Sequence, residues 1–371
     1  MRNYFAFMIA IGLALTGLAT STRSANADTH AQGDIIAQGR YIATIAGCTS
    51  CHTPDKPEYQ NPQTLTIDQI KTIAFDGNDA LDISKFLAGG RVFDLGPEGV
   101  VYTRNITPDP STGLGNWTDE QIRLAITTGV DSKGKTLFPV MPYHVYNSMA
   151  DSDVEAVIAF IKSVNAIKNT VTEKTVNTEG MPTLPYQGGI TAPDPSDIAA
   201  RGEYLVNHVT GCTDCHTPID PATGGPLMDK YLAGKQPYEG PWGIVYGGNI
   251  TPDKETGIGD WSDEEVKRAL LSGTGRDGRR LILMPWYAYA ALTDEDANAI
   301  VYYLKNELPA VHNEIPSASL NPDFVLMAPE ALASENSKGI LGNKVLVSAA
   351  GLILLLVIGI GGFVWYRRKV A

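Results

Sequence analysis

The chain has 371 residues, enough for two or three domains, and its 43% hydrophobic and 19% charged content excludes a wholly disordered protein. A formal net charge of −12 would repel nucleic-acid phosphates, which argues against that class of partner. The same charge is compatible with steering toward a basic protein partner.

In chain order, the first 27 residues carry Arg2, an apolar run from Phe5 to Ala19 and the small-residue end Ala25-Asn26-Ala27. That is the layout of a secretory signal peptide cleaved after Ala27; an uncleaved anchor helix is the alternative, and both predict export. A helix follows, with Ile35, Ile36, Tyr41 and Ile42 on one side. Next comes "GCTSCHTP" at Gly47–Pro54, which returns as "GCTDCHTP" at Gly211–Pro218, and the two phrases hold all 4 cysteines.

The phrase belongs to a longer internal repeat. "AQGRYI" (Ala37–Ile42) matches "ARGEYL" (Ala200–Leu205), and "VVYTRNITPD" (Val100–Asp109) matches "IVYGGNITPD" (Ile244–Asp253). "TGLGNWTDEQIRLAI" (Thr112–Ile126) matches "TGIGDWSDEEVKRAL" (Thr256–Leu270), and "VMPYHVY" (Val140–Tyr146) matches "LMPWYAY" (Leu283–Tyr289). The first copy carries an insertion of roughly twenty residues within Pro57–Ala80. Capping boxes start a helix at Thr118 with Gln121 and at Ser262 with Glu265. Apolar residues at helical spacing mark the last helix of each copy: Val154, Val157, Ile158, Ile161, and Ala297, Ile300, Val301, Leu304. No alternating run is long enough for a sheet, so each copy is expected to be a small all-α domain, at residues 34–164 and 197–311. A Thr-, Pro- and Gly-rich stretch, 165–196, reads as a linker, and 312–344 as a tether. Val345–Tyr366 is uncharged and long enough to span a bilayer as a helix. Trp365 and Tyr366 suit its interface, and Arg367, Arg368 and Lys369 would stay cytoplasmic, leaving both copies outside.

Cys-x-x-Cys-His is the attachment sequence of c-type haem: Cys48 and Cys51 with His52, and Cys212 and Cys215 with His216. The thiols bond to the two vinyl groups and the adjacent imidazole supplies an axial nitrogen. A structural zinc site would want its cysteine pairs close in sequence, a thioredoxin-like pair would want a βαβ context, and two disulfides would not require the histidines. The expected cofactors are therefore two covalently bound haem c groups. For the other axial position, Met141 and Met284 are the methionines at equivalent repeat positions, each followed by Pro. Met149 aligns with Leu292 and reads as core; Met181, Met228 and Met327 have no counterpart. His144 aligns with Tyr287, and His208 precedes its own motif, so both read as structural. Thioether ligation raises the reduction potential, and a filled sixth position suits electron transfer rather than reaction with oxygen or peroxide. Asn105 and Asn249, with Trp117 and Trp261, would either cover haem propionates or hold their loops. Arg104 aligns with Gly248, which confines any propionate role for it to the first copy.

From Cys-x-x-Cys-His through "NITPD", "TG(L/I)G-x-W" and "MP-x-x-x-Y", each copy resembles a class I cytochrome c domain. The chain is similar, over about Asp34–Val311, to the cytochrome c subunits of bacterial membrane-bound alcohol, aldehyde and gluconate dehydrogenases. The resemblance implies helices wrapped around a haem with an exposed edge. It also implies electrons received from a dehydrogenase subunit and passed to quinone or a terminal oxidase. Those subunits usually carry three haem domains, whereas two are read here. The expected function is a dihaem electron carrier, not an enzyme, on the periplasmic face of a bacterial inner membrane, with a dehydrogenase or quinol-oxidising complex as redox partner. A dihaem peroxidase would require unequal copies, one lacking its methionine, and a membrane sensor would need an output domain beyond the five residues after Tyr366.

Overall fold

The structure, a computed structural model, describes residues 32–61, 64–181 and 183–326. The stretches read as a signal peptide (1–27) and a spanning helix (345–366) lie outside the described residues, as does the tether from 327 onward.

In the first copy, α1 (32–45) leads through a two-residue turn into α2 (Cys48–Cys51). The insertion contributes α3 (Ile67–Phe75), opened by a capping box between Thr66 and Gln69. Strands β1 (Val92–Asp94) and β2 (Val100–Tyr102) form a hairpin before α4 (Asp119–Thr128), α5 (Tyr143–Tyr146) and α6 (Asp151–Ser163). The second copy repeats the plan with α7 (Ile198–Tyr204), α8 (Cys212–His216), β3 (Pro237–Gly240), β4 (Gly243–Tyr246), α9 (Asp263–Ser272), α10 (Trp286–Tyr289) and α11 (Asp294–Tyr302). Wide π-type turns at Leu205–Val209 and Tyr303–Glu307 prolong α7 and α11. Both anticipated capping boxes form: Thr118 caps α4 with Gln121, and Ser262 caps α9 with Glu265.

The first and last helices of each copy touch backbone to backbone. A methyl group added at Gly39 would sit 1.8 Å from the Ala156 carbonyl oxygen, and one at Gly202 would sit 2.0 Å from that of Ala299. Glycine at these matched positions permits the crossing, and the apolar faces of α6 and α11 then bury Val154, Val157, Ile158, Ile161, Ala297, Ile300, Val301 and Leu304. These side chains join one apolar cluster that runs through both copies. Met149 and Leu292 are buried in it, as their alignment suggested.

The expected all-α class is corrected. β1 pairs antiparallel with β2, and β3–β4–β5 form a second antiparallel sheet, β5 being Ser319–Leu320. These strands are two to four residues long and mostly half-buried, too short for a period-two pattern to emerge from the sequence. The C-terminal span also drops out of the fold class: among the described residues no helix is long and apolar enough to cross a membrane.

Candidate functional site

Each Cys-x-x-Cys-His begins after a glycine in the left-handed region, Gly47 (φ 81°) and Gly211 (φ 64°). One helical turn then puts Cys48 and Cys51, or Cys212 and Cys215, on a common face, with the histidine at the end of the turn. All four cysteines are free. They are half-buried in exposed area yet closely surrounded, and that burial pushes the Cys48 thiol up to about 12 and Cys212 to about 11; Cys51 and Cys215 rise for the same reason. They stand as neutral thiols. Among the described residues no cluster of three His, Cys, Asp or Glu side chains is arranged to hold a metal ion.

The histidines are oriented alike. His52 shares a hydrogen bond through Nδ1 with the Arg104 carbonyl oxygen at 2.8 Å, and His216 does so with the Gly248 carbonyl oxygen at 2.7 Å. Burial holds both imidazoles below their ordinary pKa, against the carbonyl bond that favours the charged form. In a neutral ring whose Nδ1–H is donated to a carbonyl, Nε2 carries the free lone pair, the arrangement an iron ligand needs.

The methionines sit in matched tight turns, with Tyr143 N–H donating to the Met141 carbonyl and Trp286 N–H to the Met284 carbonyl, each at 2.8 Å. Met141, Cys48, Phe86, Ile106 and Trp117 pack half-buried against the central cluster, as do their counterparts Met284, Cys212, Tyr231, Ile250 and Trp261. A tyrosine ties the two sides of each site together. Tyr146 donates its hydroxyl to the Ala46 carbonyl at 2.5 Å, and Tyr289 to the Thr210 carbonyl at 2.8 Å, so the methionine segment is pinned just ahead of the attachment turn. Paired neutral thiols, an imidazole with Nε2 free, and a thioether among half-buried apolar side chains fit a covalently attached haem in each copy.

Asn105 and Asn249 hold their loops. Asn105 Nδ2 donates to Thr112 Oγ1 (3.0 Å) and the Ile167 carbonyl (2.8 Å), while Oδ1 accepts from Thr107 N (3.0 Å) and Oγ1 (2.8 Å). Asn249 repeats this with Thr256, Val311 and Thr251. Each amide thus has both its donors and its acceptor engaged within the protein. Asp109 reinforces the first loop, where hydrogen bonds from Ser111 and Thr112 hold its carboxyl at about 2. The Arg104 guanidinium pairs with Glu173 at the surface; its carbonyl, not its charge, reaches the site.

Several contributors escaped the sequence reading. The carbonyls that orient the histidines are backbone atoms and leave no residue-type signal. Tyr146 and Tyr289 were visible as repeated letters without a role. Arg91 forms a buried ion pair with Asp55 at 3.4 Å, without hydrogen-bond geometry, and donates to the Ser50 carbonyl at 3.0 Å, which sets a cation beside the first motif. His144 meets Asp214 of the second motif at 3.0 Å, and His208, tilted against Tyr204 of its own copy, hydrogen-bonds the backbone of Val145 in the first, so both stand at the seam between the copies.

No family model matches the chain. Among curated proteins it is similar to the fructose dehydrogenase cytochrome subunit of Gluconobacter japonicus, 30% identical over 73% of this chain and 52% of that one. It is 29% identical to the cytochrome c subunit of the alcohol dehydrogenase (quinone) of Gluconobacter oxydans (strain 621H), over 84% of this chain and 61% of that one. A diheme cytochrome c-type protein of Cereibacter sphaeroides is 28% identical over 74% of this chain and 86% of its own length. The chain spans between half and two thirds of the fructose, alcohol and gluconate dehydrogenase cytochrome subunits it matches. Over most of its length it is a homologue of the cytochrome c subunits of bacterial dehydrogenases.

Proposed function

We propose that the chain is an electron-transfer protein bearing two haem c groups. They would be attached at Cys48 and Cys51 and at Cys212 and Cys215, with His52 and Met141 ligating one iron and His216 and Met284 the other. When bound, such a group supplies a one-electron Fe(III)/Fe(II) couple whose potential the axial ligands and burial set. The chain's own residues do the rest. The Arg104 and Gly248 carbonyls fix each imidazole's tautomer, and Tyr146 and Tyr289 keep each methionine segment against its attachment turn.

The observation that carries this reading is the matched pair of histidines, each giving its Nδ1 to a backbone carbonyl in a Cys-x-x-Cys-His turn. Equivalence of Met141 and Met284 supports a carrier over a peroxidase, which needs one open iron. In view of its relatives, the donor is a dehydrogenase subunit and the acceptor a respiratory component, with the haem-bearing copies on the exported side, where c-type haem and the signal-like N-terminus belong together. Intact mass after expression with haem-attachment machinery should show two haem groups, and Met141→Ala and Met284→Ala should each open one ferrous iron to carbon monoxide. A single haem, or rapid turnover of peroxide by the unaltered protein, would overturn the proposal.

A further inference from the structure

The insertion of the first copy lies against the second. The last turn of α3 leaves carbonyl oxygens that no helical N–H can reach. Two of them are satisfied across the seam. The Ala74 carbonyl accepts from Leu283 N–H at 3.0 Å, and the Phe75 carbonyl accepts from the Trp286 indole N–H at 2.6 Å. Leu283 and Trp286 flank Met284. Just beyond, Gly77 lies under the Tyr287 ring, close enough that an added methyl group would come within 2.8 Å of its hydroxyl, and Asn78 donates to the Tyr287 carbonyl at 3.4 Å. An apolar cluster closes the contact: Ile70, Ala74 and Phe75 from α3 bury against Trp242 and Phe324, with Ile282 and Leu283 packed alongside.

Among the described residues, no helix end braces the Met141 segment as α3 braces the Met284 segment; its cross-seam contact is instead the His144–Asp214 pair. Tyr143, the counterpart of Trp286, is buried with its hydroxyl unpartnered, and Val140, the counterpart of Leu283, packs against Leu95, Val101 and Phe138 of its own copy and Val176 of the stretch that follows it. Leu283 adopts a left-handed backbone (φ 66°), which is unfavourable for a branched side chain, and Val140 does not. A strained residue next to a candidate ligand persists when its surroundings over-determine it, and here the end of α3 is a principal part of those surroundings.

We propose that the insertion, through the Ala74 and Phe75 carbonyls, is a positioning brace that holds the Met284 segment in its ligating conformation. The Met141 segment is held without it. The inference rests on Met284 being an iron ligand, and the experiment separates the two. Exchange of the thioether for imidazole in the ferric protein is followed by loss of the near-infrared methionine–iron band. Two phases are expected, and Met284→Ala assigns one of them by removing it. Trp286→Phe deletes the indole donor while keeping an aromatic ring, and should speed the assigned phase by about three- to tenfold, the scale of one hydrogen bond, leaving the other unchanged. Replacing 64–78 by a short loop should speed it further, and Tyr143→Phe should alter neither phase. If Met284→Ala leaves both phases intact, the ligand assignment falls and the brace with it. If Met284→Ala removes a phase but Trp286→Phe moves neither or both, the brace alone is overturned. Because Trp286→Phe is a modest change at a half-buried position, the result does not depend on the loop-replaced variant folding.

Discussion

Tyr204 of the second copy donates its hydroxyl to Asp153 of the first at 2.6 Å, and its repeat counterpart Tyr41 donates to Asp296 at 2.5 Å. The same hydroxyls accept from the N–H groups of Ala150 (3.0 Å) and Thr293 (3.4 Å). Each aspartate is also held from within its own copy, Asp153 by Gln38 Nε2 at 2.6 Å and Asp296 by Arg201 Nε at 2.8 Å and Nη2 at 2.7 Å. The copies therefore meet as two equivalent halves do in a two-fold dimer, each giving a tyrosine and receiving one. A duplicated chain has kept, as an internal seam, the geometry of a self-complementary interface.

The two halves of that seam differ in charge, which predicts unequal costs. Tyr204→Phe leaves Asp153, 1% exposed, with a neutral amide as its remaining side-chain partner, and strips the Ala150 N–H of its acceptor. The expected loss is about 1–3 kcal/mol. Asp296 keeps a bidentate guanidinium when Tyr41 is changed to Phe, so that loss should be about 1 kcal/mol or less. Urea midpoints of the full chain measure both, and an equal or reversed order would contradict the assignment of partners.

The helix crossings give a harsher test. A methyl group at Gly39 or Gly202 would enter the space of a backbone carbonyl, which no rotamer change relieves. Gly39→Ala and Gly202→Ala should each cost at least about 3 kcal/mol, at the upper end for overpacking, because two helices must separate. Gly33, which has nothing near it, is the control, and Gly33→Ala should be within about half a kcal/mol of the parent in thermal unfolding.

The candidate site was legible where it is written in residue types at fixed spacing. The two attachment phrases, the matched Met-Pro pairs, and the capping residues Thr118 and Ser262 all act locally, within a turn or a helix. What stayed hidden depends on distant chain. The roles of the Arg104 and Gly248 carbonyls follow from where a loop passes, not from which side chain it bears. Strands such as Val92–Asp94 owe their form to one partner across a hairpin, and three residues carry no period. The role of the insertion stayed hidden because its apolar face is completed by Trp242 and Phe324, far along the chain. Asn105 and Asn249 were visible as repeats, but loop-holding could be told from cofactor contact only once all their hydrogen bonds could be followed.

Those asparagines predict a local effect. Asn249→Ala removes the acceptor for Thr251 N–H and the donor to the Val311 carbonyl, loosening the loop whose start, Gly248, orients His216. The full chain should lose about 2–4 kcal/mol, from two or more buried groups left unpaired. Hydrogen exchange should quicken at residues 249–256 while the matching residues 105–112 of the first copy keep their protection. Uniform quickening in both copies would show that the loops are not independent.

A titrating contact crosses the seam at His144 and Asp214. Burial opposes charging this imidazole, but the Asp214 carboxylate at 3.0 Å outweighs it, and the His144 pKa lies above its ordinary value. An unfolded histidine titrates near about 6.5, so the contribution of the pair is fully present below that pH and is lost as pH rises through the folded-state value. With His144 45% and Asp214 37% exposed, solvent screening limits the contribution to less than about 1 kcal/mol. The urea midpoint of the parent should therefore exceed that of His144→Gln by a small margin near about pH 5.5, and the margin should close toward about pH 9. A margin that widened with pH would mean that the imidazole is held neutral, with Asp214 accepting from its N–H and no ion pair formed.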